Sequence, residues 1–188
     1  MNVDFTFEFE EVFLDLETLD RSINSPIIEI SIVNNVGDIL FDETINPGEG
    51  FKLNNYKINY LGYSQSELDM SKTLEMHKPC LIEITKNKNI VTFGSRDLDL
   101  LPWLRSKSLT SDCCQRFSER YGVYSKYHSN HRWVSLKDAC EYIGYKPKGI
   151  PHRSLTDAKS CREVWLWLDK QNQSSNKSEL LLSNLENE

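Results

Sequence analysis

The chain has 188 residues and a formal net charge of −6, and its apolar share of 39% includes 11% aromatic residues. That length supports one sizeable core, so we expect one domain over residues 1–170 and a polar, disordered tail over 171–188. No apolar run is long enough to span a bilayer, and the acidic N-terminus lacks the basic lead of a secretory signal. These features argue against a membrane-spanning or secreted class and predict a cytoplasmic protein.

The charges and the cysteines are unevenly distributed. Residues 1–85 carry 5 basic and 16 acidic side chains, whereas residues 86–162 carry 15 basic and 7 acidic ones. An acidic part can attract metal ions and a basic part suits a phosphate backbone, although solvated surface explains charge runs equally well. The five cysteines are odd in number and form no C-x-x-C pair, so we predict reduced thiols.

Three strands are predicted in the first 45 residues. Residues 12–17 form a short apolar run with a β-branched residue and an aromatic one, and residues 26–33 are rich in isoleucine. The turn sequence at 34–38 leads to a third strand at 39–45. Short connections between consecutive strands predict an antiparallel meander.

The second half alternates between strand and helix patterns. A fourth strand is predicted at 89–93, followed by a helix with leucines at three-residue spacing. Residues 135–144 predict a helix capped by Ser135 and ended by Gly144, and a last helix begins at Ser154. This order predicts an α/β fold.

Asp15 and Glu17 are the first candidate site residues. Two residues apart on a strand, their side chains leave the same face roughly 6.5 Å apart and can share a metal ion. Two acids on an apolar strand are costly to bury without a cation. A strand's solvent face shows the same pattern, and the alternation of Leu14 and Leu16 does not decide between the faces.

Asp97 lies where the fourth strand passes into a helix, a common position for site residues. An acid at a helix N-terminus is also favoured by the helix dipole alone. Asp99 is the competing choice for an acid of the site. We prefer Asp97 because it is closer to the end of the strand.

His152 and Asp157 flank the start of the last helix. A histidine just before a helix and an acid in its first turn would converge on one spot, as a base beside a metal ligand requires. The alternative is structural: Asp157 would complete a capping box with Ser154, and His152 would be an exposed loop residue.

A further aromatic and basic stretch precedes the 135–144 helix. Stacking on single-stranded bases is one interpretation, and a covering loop of mixed packing is the other. Its members are Tyr124, Tyr127, His128, His131 and Trp133.

Taken together, the candidate residues resemble the DEDDh family of 3′→5′ exonucleases, which includes ribonuclease T and the proofreading subunit of bacterial DNA polymerase III. The stretch FLDLET at 13–18 is similar to the first motif of the family, FGSRD at 93–97 to the second, and HRSLTDA at 152–158 to the third. The second motif departs from the N-A-x-F-D of many members, because Arg96 precedes the acid. The resemblance covers about residues 10–170.

This resemblance implies a ribonuclease-H-like fold with a mixed sheet, three antiparallel N-terminal strands and flanking helices. It implies that Asp15, Glu17, Asp97 and Asp157 hold two Mg²⁺ or Mn²⁺ ions, and that His152 is the general base. Hard divalent cations prefer carboxylate oxygens, and histidine accepts protons near neutral pH. Thr18 and Leu19 would contact the terminal nucleotide.

The predicted function is 3′→5′ hydrolysis of nucleic acid, most readily from a single-stranded 3′ end. One alternative is a non-catalytic nucleic-acid-binding or polymerase-associated module of the same fold, which has no need of His152. Another is a metal phosphohydrolase acting on small nucleotides. The sequence decides neither DNA against RNA nor the oligomeric state, although several relatives of this family are homodimers.

Overall fold

The computed structural model describes residues 10–20, 22, 24–127 and 129–185, with side chains to Gln173. The first nine residues lie outside this range, and the prediction that the chain lacks a secretory signal depends partly on them. His128 also lies outside it. No helix of the described part is long and apolar enough to cross a membrane. All five cysteines, which lie in the described part, are free, as predicted, and only Cys80 is exposed.

A five-stranded mixed sheet forms the centre of the protein, with strand order β3-β2-β1-β4-β5. Strand β1 pairs antiparallel with β2, and β2 with β3, whereas β1, β4 and β5 run parallel. A separate hairpin contains β6 and β7. The strands are β1 (Glu10–Thr18), β2 (Ile27–Asn34), β3 (Ile39–Thr44), β4 (Lys88–Thr92), β5 (Leu109–Asp112), β6 (Tyr124–Ser125) and β7 (Asn130–His131).

Helices cover both faces of this sheet. Three lie between β3 and β4, two link β4 to β5, and three follow β5. They are α1 (Asn55–Asn59), α2 (Gln65–Met70), α3 (Leu74–Thr85), α4 (Arg96–Leu100), α5 (Pro102–Arg105), α6 (Cys113–Tyr121), α7 (Leu136–Ile143) and α8 (Ser154–Leu185).

Successive side chains of β1 point to opposite faces of the sheet and pack into two separate hydrophobic cores. Leu14 and Leu16 pack with Leu81 of α3 and the leucines around α4 and α5 on one face. Phe13 points to the other face, where it packs with Phe117 of α6 and with apolar residues of α7 and α8. Side chains alternate along a strand, so Asp15 and Glu17 share the face of Phe13. The two acids therefore point toward the side covered by α8.

The predicted fold is confirmed: a mixed sheet with three antiparallel N-terminal strands, flanked by helices. Ser135 caps α7 through the Asp138 amide, and Gly144 ends it at φ +74°, a backbone conformation that favours glycine. The boundary at residue 170 stays a prediction, and the helical backbone of α8 continues beyond it to Leu185.

Candidate active site

The carboxyl ends of β1 and β4 place three acids at one edge of the sheet. The two strands are parallel, with Phe13 opposite Val91, so Asp15 and Glu17 of β1 and Asp97 just after β4 lie at the same end. Burial raises the pKa of Asp15, and repulsion from Asp97, Asp157 and Glu17 raises it further. The structure thus brings the four acids into one electrostatic cluster.

Asp97 and Asp99 are separated by the geometry of α4. Asp97 faces the cluster, where burial, followed by the charge of Glu17, raises its pKa to about 8. Asp99 is exposed and pairs with Arg105. Of the two candidates considered from the sequence, only Asp97 belongs to the cluster.

His152 and Asp157 approach Glu17 from the start of α8. One ligand atom from each of these three residues lies within 4.8 Å of the other two. Burial raises the pKa of Asp157 to about 6, although the positive charge of His152 lowers it. His152 itself has φ +64°, a left-handed conformation that histidine tolerates better than most residues and that neighbouring contacts must hold.

The capping box of the structural alternative does not describe the start of α8, although His152 is an exposed turn residue, as that alternative expected. Ser154 is the first residue of the helix, and its hydroxyl hydrogen-bonds to Ser31 Oγ at 2.6 Å. Its backbone amide donates to Glu29 Oε2 at 2.8 Å. A carboxylate from β2, not a local serine, therefore caps this helix.

Lys57 is a cation in the site that the sequence analysis missed. Its Nζ atom donates to Glu17 Oε2 at 2.8 Å, and the residue is only 7% exposed. Burial raises the pKa of Glu17 overall, while the hydrogen bond and charge of Lys57 lower it. Lys57 lies on α1, a helix that no sequence pattern predicted, so only the tertiary structure could find it.

Glu29 and Arg153 are two further residues that the sequence analysis did not assign to the site. Glu29 is opposite Glu17 in the β1–β2 register, and its carboxylate accepts hydrogen bonds from Arg153. A lone acid within the apolar run of β2 was the feature of the sequence that could have identified it. Arg153 lies within the third motif, next to His152.

A cavity of about 340 Å³ opens in front of these groups. Thr18 and Leu19 line it together with Glu17, Asp97 and His152, as do Lys57 and Arg96. Thr18 Oγ1 donates to the Asp20 carbonyl at 2.6 Å, and the Leu19 amide donates to the Pro26 carbonyl at 2.9 Å. The two residues predicted to contact substrate are therefore hydrogen-bonded parts of the cavity wall.

The donor set suits hard divalent cations. Burial raises the pKa of each of the four carboxylates, and repulsion from neighbouring acids raises it further, while the neighbouring Lys57 supplies a single positive charge. Added divalent charge would relieve this repulsion, and carboxylate oxygens are the ligands that Mg²⁺ and Mn²⁺ prefer. The residues present fit such ions.

No protein-family model matches the sequence, and no curated protein matches it significantly. Solved structures do match. One matching structure shows 3′-end specific recognition of a histone mRNA stem-loop by a 3′-exonuclease. It matches with a TM-score of 0.68 and 16% sequence identity, and the match covers 88% of this chain and 84% of that one. The nuclease domain of 3′hExo, a DEDDh family member, bound to rAMP, has a TM-score of 0.63 and 19% identity, over 88% and 94%.

The chain has the fold of the DEDDh 3′-exonucleases. A further match is S. pombe Pop2p in its Mg²⁺- and Mn²⁺-bound form, with a TM-score of 0.58 and 12% identity, over 84% of this chain and 81% of that one. At these identities the likeness shows the fold. The chemistry of this chain has to be argued from its own residues.

Proposed function

We propose that the protein is a metal-dependent 3′→5′ exonuclease that hydrolyses nucleic-acid phosphodiester bonds. The observation that supports this most is one cluster of four carboxylates and a histidine at the edge of a cavity: Glu17, Asp97 and His152 line the cavity. Asp157 lies against Glu17 and His152, and the charge of Asp15 is coupled to those of the other three acids. A binding module would have no use for so costly a cluster of half-buried acids.

In this proposal Asp15, Glu17, Asp97 and Asp157 hold two Mg²⁺ or Mn²⁺ ions. When bound, such ions stabilise the negative charge that develops at phosphorus and on the leaving oxygen. The four carboxylates also exclude other anions from the cavity until cations neutralise them. Burial raises the pKa values of Asp15 and Asp97, and the same repulsion raises them further.

His152 is the proposed general base. Its imidazole would accept a proton from the attacking water as the water oxygen bonds to phosphorus. The bond from phosphorus to the 3′ oxygen of the preceding nucleotide breaks, and that oxygen takes up a proton. The products are a nucleoside 5′-monophosphate and a strand shortened by one nucleotide with a free 3′-hydroxyl.

The cavity wall would position the terminal nucleotide. Thr18 and Leu19 lie directly after the paired acids of β1 and would contact its sugar and base. Arg96 and Lys57 line the same cavity and add positive charge where a phosphate would enter. The structures of relatives with an mRNA stem-loop and with rAMP make RNA a reasonable first substrate to test.

The test is digestion of 5′-labelled single- and double-stranded DNA and RNA with Mg²⁺ or Mn²⁺, with Asp15→Asn as the inactive control. A ladder that shortens from the 3′ end, absent in the control, supports the proposal. Intact strands that nevertheless bind the protein would favour the non-catalytic module. Hydrolysis of free nucleotides without any ladder would favour the small-nucleotide phosphohydrolase.

A further inference from the structure

A short hairpin with exposed aromatic side chains lies between α6 and α7. Tyr124 of β6 is 55% exposed, Tyr127 in the turn 90%, and Trp133 just after β7 69%. The His131 ring meets the Tyr124 ring edge-on at 5.3 Å. A group of neighbouring aromatic side chains exposed to solvent commonly marks a ligand-binding or interaction site.

The base of the hairpin is held by hydrogen bonds between its backbone and side chains of α6. The Val134 amide donates to Ser118 Oγ at 3.1 Å, and the Cys114 thiol donates to the Val134 carbonyl at 3.4 Å. Both α6 residues are buried. Trp133 therefore extends from a fixed backbone. Its side chain has only two rotatable bonds, so ordering the indole on binding costs little conformational entropy.

Trp133 is next to the candidate active site. Its ring lies 3.8 Å from the position that a Cβ atom on Gly94 would occupy. Gly94 follows β4 and precedes Asp97 by three residues, a stretch that spans at most about 10 Å. The indole is thus beside the strand end that carries Asp97 to the cavity.

The residues around a cavity beside the hairpin suit a ligand that combines negative charges with planar rings, as a nucleic-acid strand does. A second cavity there, of about 820 Å³, is bordered by Ser125, Tyr127, Asn130, His131, Arg132 and Trp133. None of these described residues is acidic, and Arg132 is exposed. Every nucleobase has a π face, so aromatic groups stack on single strands without sequence preference while basic groups attract the backbone.

We propose that Trp133 and Tyr127 form a stacking surface for the single-stranded nucleotides that precede the 3′ end. This rests on the proposed function: the terminal nucleotide occupies the site cavity, and the chain before it passes Gly94 and stacks on the hairpin. The surface makes the protein more active on longer single strands than on dinucleotides.

The experiment compares kcat/KM for a dinucleotide and for a single strand of about ten nucleotides. Trp133→Ala and Tyr127→Ala should each lower the value for the longer strand by about tenfold and leave the dinucleotide value unchanged. Trp133→Phe should keep most of the activity on the longer strand. Met70→Ala is the matched control, because Met70 is 81% exposed on α2 and lines neither cavity.

Equal kcat/KM for Trp133→Ala and wild type on the longer strand would overturn the proposal, as would an equal loss on the dinucleotide. Binding of the labelled strand without divalent ions is the second measurement. If wild type binds the strand but cleaves nothing even after Mg²⁺ or Mn²⁺ is added, the proposed function fails, and the surface stands only if Trp133→Ala weakens binding. Formation of a dimer that Trp133→Ala disrupts would assign the surface to a second copy of the chain instead.

Discussion

Arg153 donates two hydrogen bonds to one carboxylate oxygen of Glu29, from Nε at 2.8 Å and from Nη2 at 2.5 Å. The other oxygen accepts from the Tyr63 hydroxyl at 2.6 Å and from the Ser154 amide. Burial raises the pKa of Glu29, but these hydrogen bonds outweigh it and lower the pKa overall. Arg153 thus neutralises a buried charge beside the proposed metal ligands and fixes the loop that holds His152.

Arg153→Met should lower the free energy of unfolding by about 3 kcal/mol. Glu29 is 3% exposed and would lose its counter-ion, although partial exposure of Arg153 keeps the loss at the low end for buried pairs. Urea unfolding of the metal-free protein measures the loss. The double variant Glu29→Gln with Arg153→Met should recover part of it, and a single variant as stable as wild type would show that the pair contributes little.

Asp15→Asn should lower turnover by more than about a hundredfold. This is a larger loss than the 10–100-fold that is typical when a residue that only orients a metal ligand is replaced. Metal-free thermal stability should hold or rise, because the ionised carboxylate is opposed by burial and by four neighbouring acids. Glu141→Gln, which removes an exposed acid of α7, should change neither quantity. An Asp15→Asn protein that unfolds, or that keeps wild-type activity, contradicts the assignment.

Metal-free stability should fall as pH rises from about 4 to about 8. The pKa of Asp97 is about 8 in the folded protein and near 4 when unfolded, so the folded state binds the extra proton throughout this range. Melting temperatures in EDTA at pH 5 and pH 8 measure the slope, which Asp97→Asn should make shallower. Added Mg²⁺ should stabilise wild type more at pH 8 than at pH 5.

Asp99→Asn is the control for Asp97. Asp99 pairs with Arg105 outside the cluster, so this variant should follow wild type in both stability and activity. Asp97→Asn should lose activity. If the loss occurred only in Asp99→Asn, the second motif would have been placed two residues too early.

His152→Asn should lower kcat by about 10²–10⁴-fold, the usual contribution of a general base. Asparagine tolerates the φ of +64° at this position better than alanine, so the loss would reflect chemistry and not a distorted loop. Affinity for Mn²⁺ by calorimetry and for a single strand by anisotropy should remain close to wild type. A variant that retained most of its activity would leave the proximity of His152 to Asp157 without a catalytic meaning.

Lys57→Met should tighten Mn²⁺ binding by roughly tenfold, because a buried ammonium 2.8 Å from Glu17 repels an incoming cation and competes for the same oxygen. Without metal the variant should be less stable than wild type, since Glu17 loses its partner, and saturating Mn²⁺ should narrow that difference. Lys57→Arg, which keeps the charge, is the control. Weaker Mn²⁺ binding by Lys57→Met would mean that Lys57 orients Glu17 for the metal.

Much of the fold follows from local patterns. Each of four predicted strands matches a strand of the sheet to within about two residues: 12–17, 26–33, 39–45 and 89–93. The match is close because apolar runs and turn residues, which are local features of the sequence, set the bounds of these strands. Strand β5, in contrast, is four residues long and mostly polar, so its place in the sheet depends on pairing with β4. Helix α1 has five residues and depends on its Asn54 cap and its neighbours.

By itself, the sequence determined the order and spacing of Asp15, Glu17, Asp97, His152 and Asp157, and with them the family resemblance. The tertiary structure alone decided which face of β1 the acids occupy, since alternation puts Asp15 and Leu14 on opposite faces without saying which one α8 covers. It also decided that Lys57 lies against Glu17 and Arg153 against Glu29. These contacts join residues that are 40 and 124 positions apart, and such pairs form only when the packed core brings distant elements together.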